Sequence, residues 1–181
     1  MSRFLSLLIA PLIAAAFSSC ASTSGSVASS SHKAVSPNIE MRKAGTCVYK
    51  VKTTAYCHQE ADSLRYGRGS ATGDVLKYGS VRSAAADWSV FPVGTIFKIV
   101  GESCYYQVDD YGRALVGTKT IDLYRPGKAE MRAWGCRNVN IEVIRWGSFT
   151  KSLDILQDRT RHAHVKMMVA NILKKTKRGA S

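Results

Sequence analysis

Acidic residues are scarce in this chain: 13 Asp+Glu stand against 26 Lys+Arg, a formal net charge of +13. An excess of this size points to an anionic partner, with nucleic acid the first class to consider. Proline (4) is scarce and glycine (14) no more than ordinary for 181 residues, too few together for a collagen-like or low-complexity chain. No apolar run reaches the roughly 18–20 residues of a spanning helix, so a polytopic membrane protein is excluded. No CxxC or Cys/His spacing suggests a metal, and neither metal nor cofactor is expected. Hydrophobic residues make up 45%, enough for one ordinary core, and the length suits one compact domain with appendages.

Residues 1–19 read as an export signal. Arg3 gives a positive start, and Phe4 to Phe17 is an apolar stretch too short to span a bilayer. It ends in Phe17-Ser18-Ser19-Cys20, which resembles the bacterial lipoprotein cleavage box, with Cys20 as the lipidated first residue. Each buried lipid CH2 contributes about 0.8 kcal/mol, so two or three acyl chains make a stable anchor. Ala21 after the cysteine carries no inner-membrane retention signal in that pattern, which implies the outer membrane, facing the periplasm. The other reading is a plain secretory signal cut near Ser19 or Ala21. Both take the mature chain out of the cytoplasm, and the lipoprotein reading places it in the cell envelope, so nucleic acid is not the expected partner. Peptidoglycan and acidic lipid or polysaccharide are the anions there. Cys47, Cys57, Cys104 and Cys136 remain after Cys20, open to two disulfides in any of three pairings or to free thiols.

Residues 20–45 are rich in Ser and Ala and read as a flexible tether. Residues 46–149 form the domain. Short period-two runs predict strands over 47–56, 96–100, 104–108 and 139–143. A brief helix over 129–134 follows Pro126 and ends at Gly135. Several short strands with one small helix point to a small β-barrel. In the tail, residues 150–181, Val165, Met168, Val169, Ile172 and Leu173 mark an amphipathic helix. This tail carries 8 Lys+Arg against 2 Asp, whereas the domain carries 14 against 10. Residues 151–177 are therefore candidates to meet an anionic membrane or an envelope partner, or to pack on the barrel.

Three aspartates sit in or beside apolar runs: Asp87 in Ala86-Asp87-Trp88, Asp110 after Val108-Asp109, and Asp122 between Ile121 and Leu123. Aspartate is disfavoured in strands, and burying its charge unpaired is costly. Three such placements in a small domain suggest carboxylates converging on a cleft. A single such Asp more often caps a turn, a reading weaker for Asp122, where no turn residue follows at once.

The order A-A-D-W-S-V-F-P-V-G-T (85–95), D-Y-G-R-A-L-V-G (110–117), I-D-L-Y (121–124), W-G (134–135) and V-x-I-x-V (139–143) resembles the 3D (three-aspartate) domain. Thr54-Ala55-Tyr56 and Ala71-Thr72-Gly73 match its usual opening. That domain occurs in the membrane-bound lytic transglycosylase A family and in small cell-wall proteins. The resemblance implies a mainly β fold, a six-stranded double-psi β-barrel with a short helix, here followed by the C-terminal amphipathic helix. It maps the family aspartates onto Asp87, Asp110 and Asp122, and implies lytic cleavage of peptidoglycan glycan strands. In that reaction a hydroxyl of the sugar itself is the nucleophile, so one carboxyl serves first as acid and then as base, unlike the two-carboxylate hydrolases. Asp122 is that residue by the resemblance. Tyr56, Trp88, Tyr111 and Tyr124 are candidates to stack on sugars, with core packing the alternative for Trp88 and Tyr124. Arg113 and Lys119 are candidates to meet peptide carboxylates. Three departures stand out: Val116 replaces the usual Lys, the loop from Gly117 to Asp122 is one residue longer than the family pattern, and 181 residues leave no room for a second groove-forming domain. A non-catalytic peptidoglycan-binding module is the other reading.

Overall fold

The computed structural model describes residues 47–61 and 64–179. The expected signal peptide, Cys20 and the tether lie outside them. Six strands form the domain: β1 (Val48–Tyr56), β2 (Val81–Ala85), β3 (Ile96–Ile99), β4 (Tyr105–Asp110), β5 (Thr120–Tyr124) and β6 (Arg137–Arg145). They close into a barrel in the order β1-β5-β2-β4-β3-β6. The β1/β5 and β2/β4 pairs are parallel, and the other four are antiparallel. The mainly β, six-stranded fold expected from the resemblance is the one observed.

The strand pattern follows from alternation. In β1, Val51 and Thr53 are buried while Lys50 and Lys52 face solvent. In β5, Ile121 and Leu123 are fully buried, so Asp122 between them projects to the opposite face. Trp88, Phe97, Tyr106, Val108 and Ile141 complete the barrel core. α1 (Lys128–Trp134) ends at Gly135, whose φ of 63° is the left-handed turn a glycine makes without strain.

The tail differs from the single helix expected. It forms α2 (Phe149–Gln157) and α3 (Ala163–Gly179). Residues 157–164, Gln-Asp-Arg-Thr-Arg-His-Ala-His, contain no large apolar side chain, so nothing holds that stretch as a continuous buried helix. Ser148 caps α2, its hydroxyl accepting from the Lys151 N–H at 3.1 Å. The buried Ser152 hydroxyl accepts from the Val93 N–H at 3.0 Å, tying α2 to the barrel. Leu156, Val165, Met168 and Ile172 are fully buried in the same core as the barrel residues. Most of the apolar stripe of the tail is thus spent on packing, with Val169 half-buried and Leu173 left exposed. Fully burying such side chains contributes about 1.5–3 kcal/mol each before entropy.

Gly147, between β6 and α2, makes this docking possible. A Cβ there would stand 2.2 Å from the Val93 carbonyl oxygen and 2.4 Å from that of Pro92. The four described cysteines are free thiols, Cys57 and Cys104 buried, Cys47 and Cys136 exposed. Cys47 and Cys136 flank opposite ends of the β1/β6 ladder, which runs from Val48↔Glu142 to Thr53↔Arg137. That separation exceeds the roughly 7 Å Cα limit for a disulfide.

Candidate active site

Strand register builds the site. Thr54 on β1 pairs with Asp122 on β5, Asp122 pairs with Ala85 on β2, and Ala85 pairs with Asp110 on β4. Paired residues on neighbouring strands share a face, so these four form one row across the sheet. Strands stand about 4.8 Å apart, which puts the Asp122 and Asp110 backbones roughly 10 Å apart with only the Ala85 methyl between them. Tyr56, two residues beyond Thr54, projects to the same face and its hydroxyl donates to Asp110 Oδ2 at 3.3 Å.

The two carboxyls are held differently. Asp122 Oδ1 accepts from the Thr54 hydroxyl at 2.8 Å, and among the described residues its Oδ2 has no hydrogen-bond partner. Asp110 has both oxygens engaged, Oδ1 by the Tyr111 N–H at 2.8 Å and Oδ2 by Tyr56. Burial pushes the Asp122 carboxyl up to about 6, with Glu60 adding to the shift and the Thr54 bond opposing it. Burial also pushes Asp110 up to about 6; the neighbouring Asp109 charge adds, while the Tyr111, Tyr56 and Ala71 hydrogen bonds oppose. Burial first, then the charges of Asp110, Asp109 and Asp122, raise the Tyr56 phenol well above its ordinary value, so it stays a neutral donor.

A bulge explains the consecutive Asp109 and Asp110. β2 and β4 pair Ala84↔Val108 and then Ala85↔Asp110, so Asp109 is the extra residue and alternation breaks there. Asp109 is fully buried, bonded by Lys77 Nζ at 3.0 Å and the Ser83 hydroxyl at 2.7 Å. Sequence reasoning assigned no role to Asp109, Lys77, Ser83, Thr54 or Glu60. The visible signals were an Asp-Asp pair inside a strand pattern and the place of Thr54 in the Thr54-Ala55-Tyr56 opening.

Asp87 is not brought into the row. Its Oδ1 accepts from the Ser89 N–H (2.8 Å) and hydroxyl (2.7 Å), and its Oδ2 from the Gly117 N–H at 2.8 Å. It knits the 87–91 turn to the loop before β5. Trp88 is fully buried and its Nε1 donates to the Asp110 carbonyl at 2.8 Å, supporting the Asp110 backbone rather than offering a stacking face. Tyr124 is also fully buried, packed on Tyr56 and with its hydroxyl 2.9 Å from His58 Nδ1. Tyr111 is half-buried. Its ring lies edge-on to Trp88 at 5.0 Å and near His164 at 6.1 Å, and Arg159 reaches within 3.5 Å of its hydroxyl. The corner between α2 and α3 therefore borders the Asp110 side of the site. Burial first, then the neighbouring His162 and Arg113, lower the basicity of His164 there. Tail cations at this edge are a second feature that sequence reasoning missed.

Residues 82–145 match the family model of the 3D domain. The chain carries a 3D domain. No match is found among the curated proteins. The 3D domain is a family associated with peptidoglycan-related function. The matched stretch contains Asp87, Asp110 and Asp122. Thr54, Tyr56 and Lys77 precede it and the α2–α3 corner follows it, so this site draws on elements at both flanks of the 3D domain.

Proposed function

We propose that this protein cleaves peptidoglycan glycan strands by lytic transglycosylation, with Asp122 as the single acid/base. The observation that carries the reading is the asymmetry of the two carboxyls. Both are raised to about 6, yet only Asp122 leaves an oxygen unengaged among the described residues and able to hold a proton toward a ligand. At pH 7 a carboxyl of pKa about 6 is protonated in about one molecule in ten, roughly a hundred times more than an ordinary aspartate. Asp122 gives its proton to the glycosidic oxygen as the C1–O bond breaks. The sugar's own hydroxyl attacks C1, and the Asp122 carboxylate takes the hydroxyl proton. Asp110, held by Tyr56 and Tyr111, supplies negative charge facing the developing positive charge on the sugar. Arg113 and Arg159, with the Tyr111 hydroxyl between them and the Asp110 side of the site, form the edge where a stem-peptide carboxylate fits. The peptidoglycan association of the 3D domain supports the substrate class.

Mass spectrometry of fragments released from purified peptidoglycan tests this. Anhydro-ended products that vanish in Asp122→Ala are expected. Reducing-end products mean hydrolysis instead. No release with retained pull-down on peptidoglycan means the binding module, a reading favoured by Val116 standing where the family pattern has Lys. We further propose that Cys20 anchors the exported chain to the outer membrane, facing the periplasm. Palmitate labelling that persists in Cys20→Ser overturns that anchor.

A further inference from the structure

A cavity of about 320 Å³ lies where α3 meets the Asp87 turn and the loop before β5. Four cations line it: Lys119 from the loop, and Lys174, Lys175 and Arg178 from α3. Asp87 is the one carboxylate in its lining, and both its oxygens are already bonded by Ser89 and Gly117. Among the described residues none of the four cations forms an ion pair, and only Lys175 has a hydrogen-bond acceptor, the Ser89 carbonyl. Lys174 and Arg178 are four residues apart on one helix face, where like charges repel.

The α3 dipole accounts for cations near its C-terminal end. It does not account for Lys119, which arrives from a different element and faces the same hollow. All four side chains are exposed, so solvent screens much of their mutual repulsion, but an anion seated in the hollow meets cations arriving from two elements at once. We propose that this cavity binds a phosphate group. Four cations against one committed carboxylate suit an anion of up to two charges. Lysine ammonium groups act as rotatable point donors, which suit the several oxygens of a tetrahedral phosphate. The volume falls at the small end of ligand sites, room for a phosphate and a modest attached group. Asp87 has a part here: by holding Ser89 and Gly117 it shapes the cavity floor rather than the Asp110–Asp122 row. The proposal stands apart from the glycan reaction, and either can fail without the other.

The phosphate belongs either to a soluble molecule or to a lipid headgroup, and one experiment with the purified full chain separates them. Inorganic phosphate is titrated at fixed ionic strength and followed by 31P NMR, with acetate as the control anion. Saturable binding is expected, weakened at least tenfold by Lys119→Glu and by Lys174→Glu, and unchanged by Lys151→Glu, an exposed α2 charge outside the cavity. Vesicles of phosphatidylglycerol and of phosphatidylcholine form the second arm. Retention on phosphatidylglycerol that Lys119→Glu reduces assigns the headgroup; phosphate binding without that reduction assigns a soluble ligand. The proposal is overturned if acetate binds as tightly as phosphate, or if Lys119→Glu and Lys174→Glu, with thermal melts like the wild type, leave phosphate binding unaltered.

Discussion

Replacing Asp122 by Asn is expected to make the protein more stable while abolishing glycan cleavage. The Asp122 carboxyl is raised from 3.8 to about 6 by burial. A tenfold change in proton affinity corresponds to about 1.4 kcal/mol, so ionising this group in the folded protein costs up to about 3 kcal/mol more than in the unfolded chain. The sign follows from linkage. Between pH 3.8 and about 6 the native state binds more protons than the unfolded state, so stability falls as pH rises through that window. Above it the penalty is complete, and below it there is none. An Asn side chain keeps an oxygen to accept from Thr54 and carries no charge to bury. Asp122→Asn should therefore match the wild type near pH 3.5 and exceed it by up to about 3 kcal/mol at pH 7.5, a Tm gain on the order of 5–10 °C. Circular-dichroism melts of both proteins from pH 3.5 to 8 measure this directly. A Tm difference that does not change with pH, or a variant less stable at pH 7.5, refutes the argument. Stability rising as activity disappears is the pattern expected where a buried charge serves chemistry rather than folding.

Further outcomes follow from the same geometry. The kcat/KM for glycan cleavage should fall as pH rises above about 6, where the acid loses its proton, and a rate flat from pH 5 to 8 would exclude either raised carboxyl as the acid. Lys77→Met removes the charge partner of the fully buried Asp109 and should cost about 3 kcal/mol in urea unfolding at pH 7. Burial raises the Asp109 carboxyl, so that cost should shrink in acid as it protonates; a pH-independent loss would contradict the pairing. Gly147→Ala forces a Cβ against the Val93 and Pro92 carbonyls and should lower stability by roughly 1–3 kcal/mol by calorimetry, with a neutral effect ruling out that close approach.

Period-two alternation made β1, β3, β4 and β6 legible to within one or two residues, because their buried faces must be apolar whatever they pair with. β2 was less visible. Its buried Ser83, Ala84 and Ala85 are small, and what selects them is the neighbouring strand rather than hydrophobic pattern. The amphipathic face of the tail was plain in Val165, Met168 and Ile172. Its division into two helices was not, since the corner is marked only by a lack of apolar residues.

The three aspartates looked equivalent as a linear pattern. Register separates them, placing Asp110 and Asp122 in one row two strands apart and leaving Asp87 at the α3 cavity. Sequence by itself determined the barrel class, the acidic positions and the concentration of positive charge in the tail. These depend on residue type and short-range spacing. The tertiary structure alone decided which carboxyl keeps a free oxygen, why two of them titrate near 6, that Lys77 meets Asp109, and that Lys119 joins the cations of α3. Desolvation and charge pairing depend on what packs within a few ångströms, and those neighbours lie 32 residues apart in one case and more than 50 in the other.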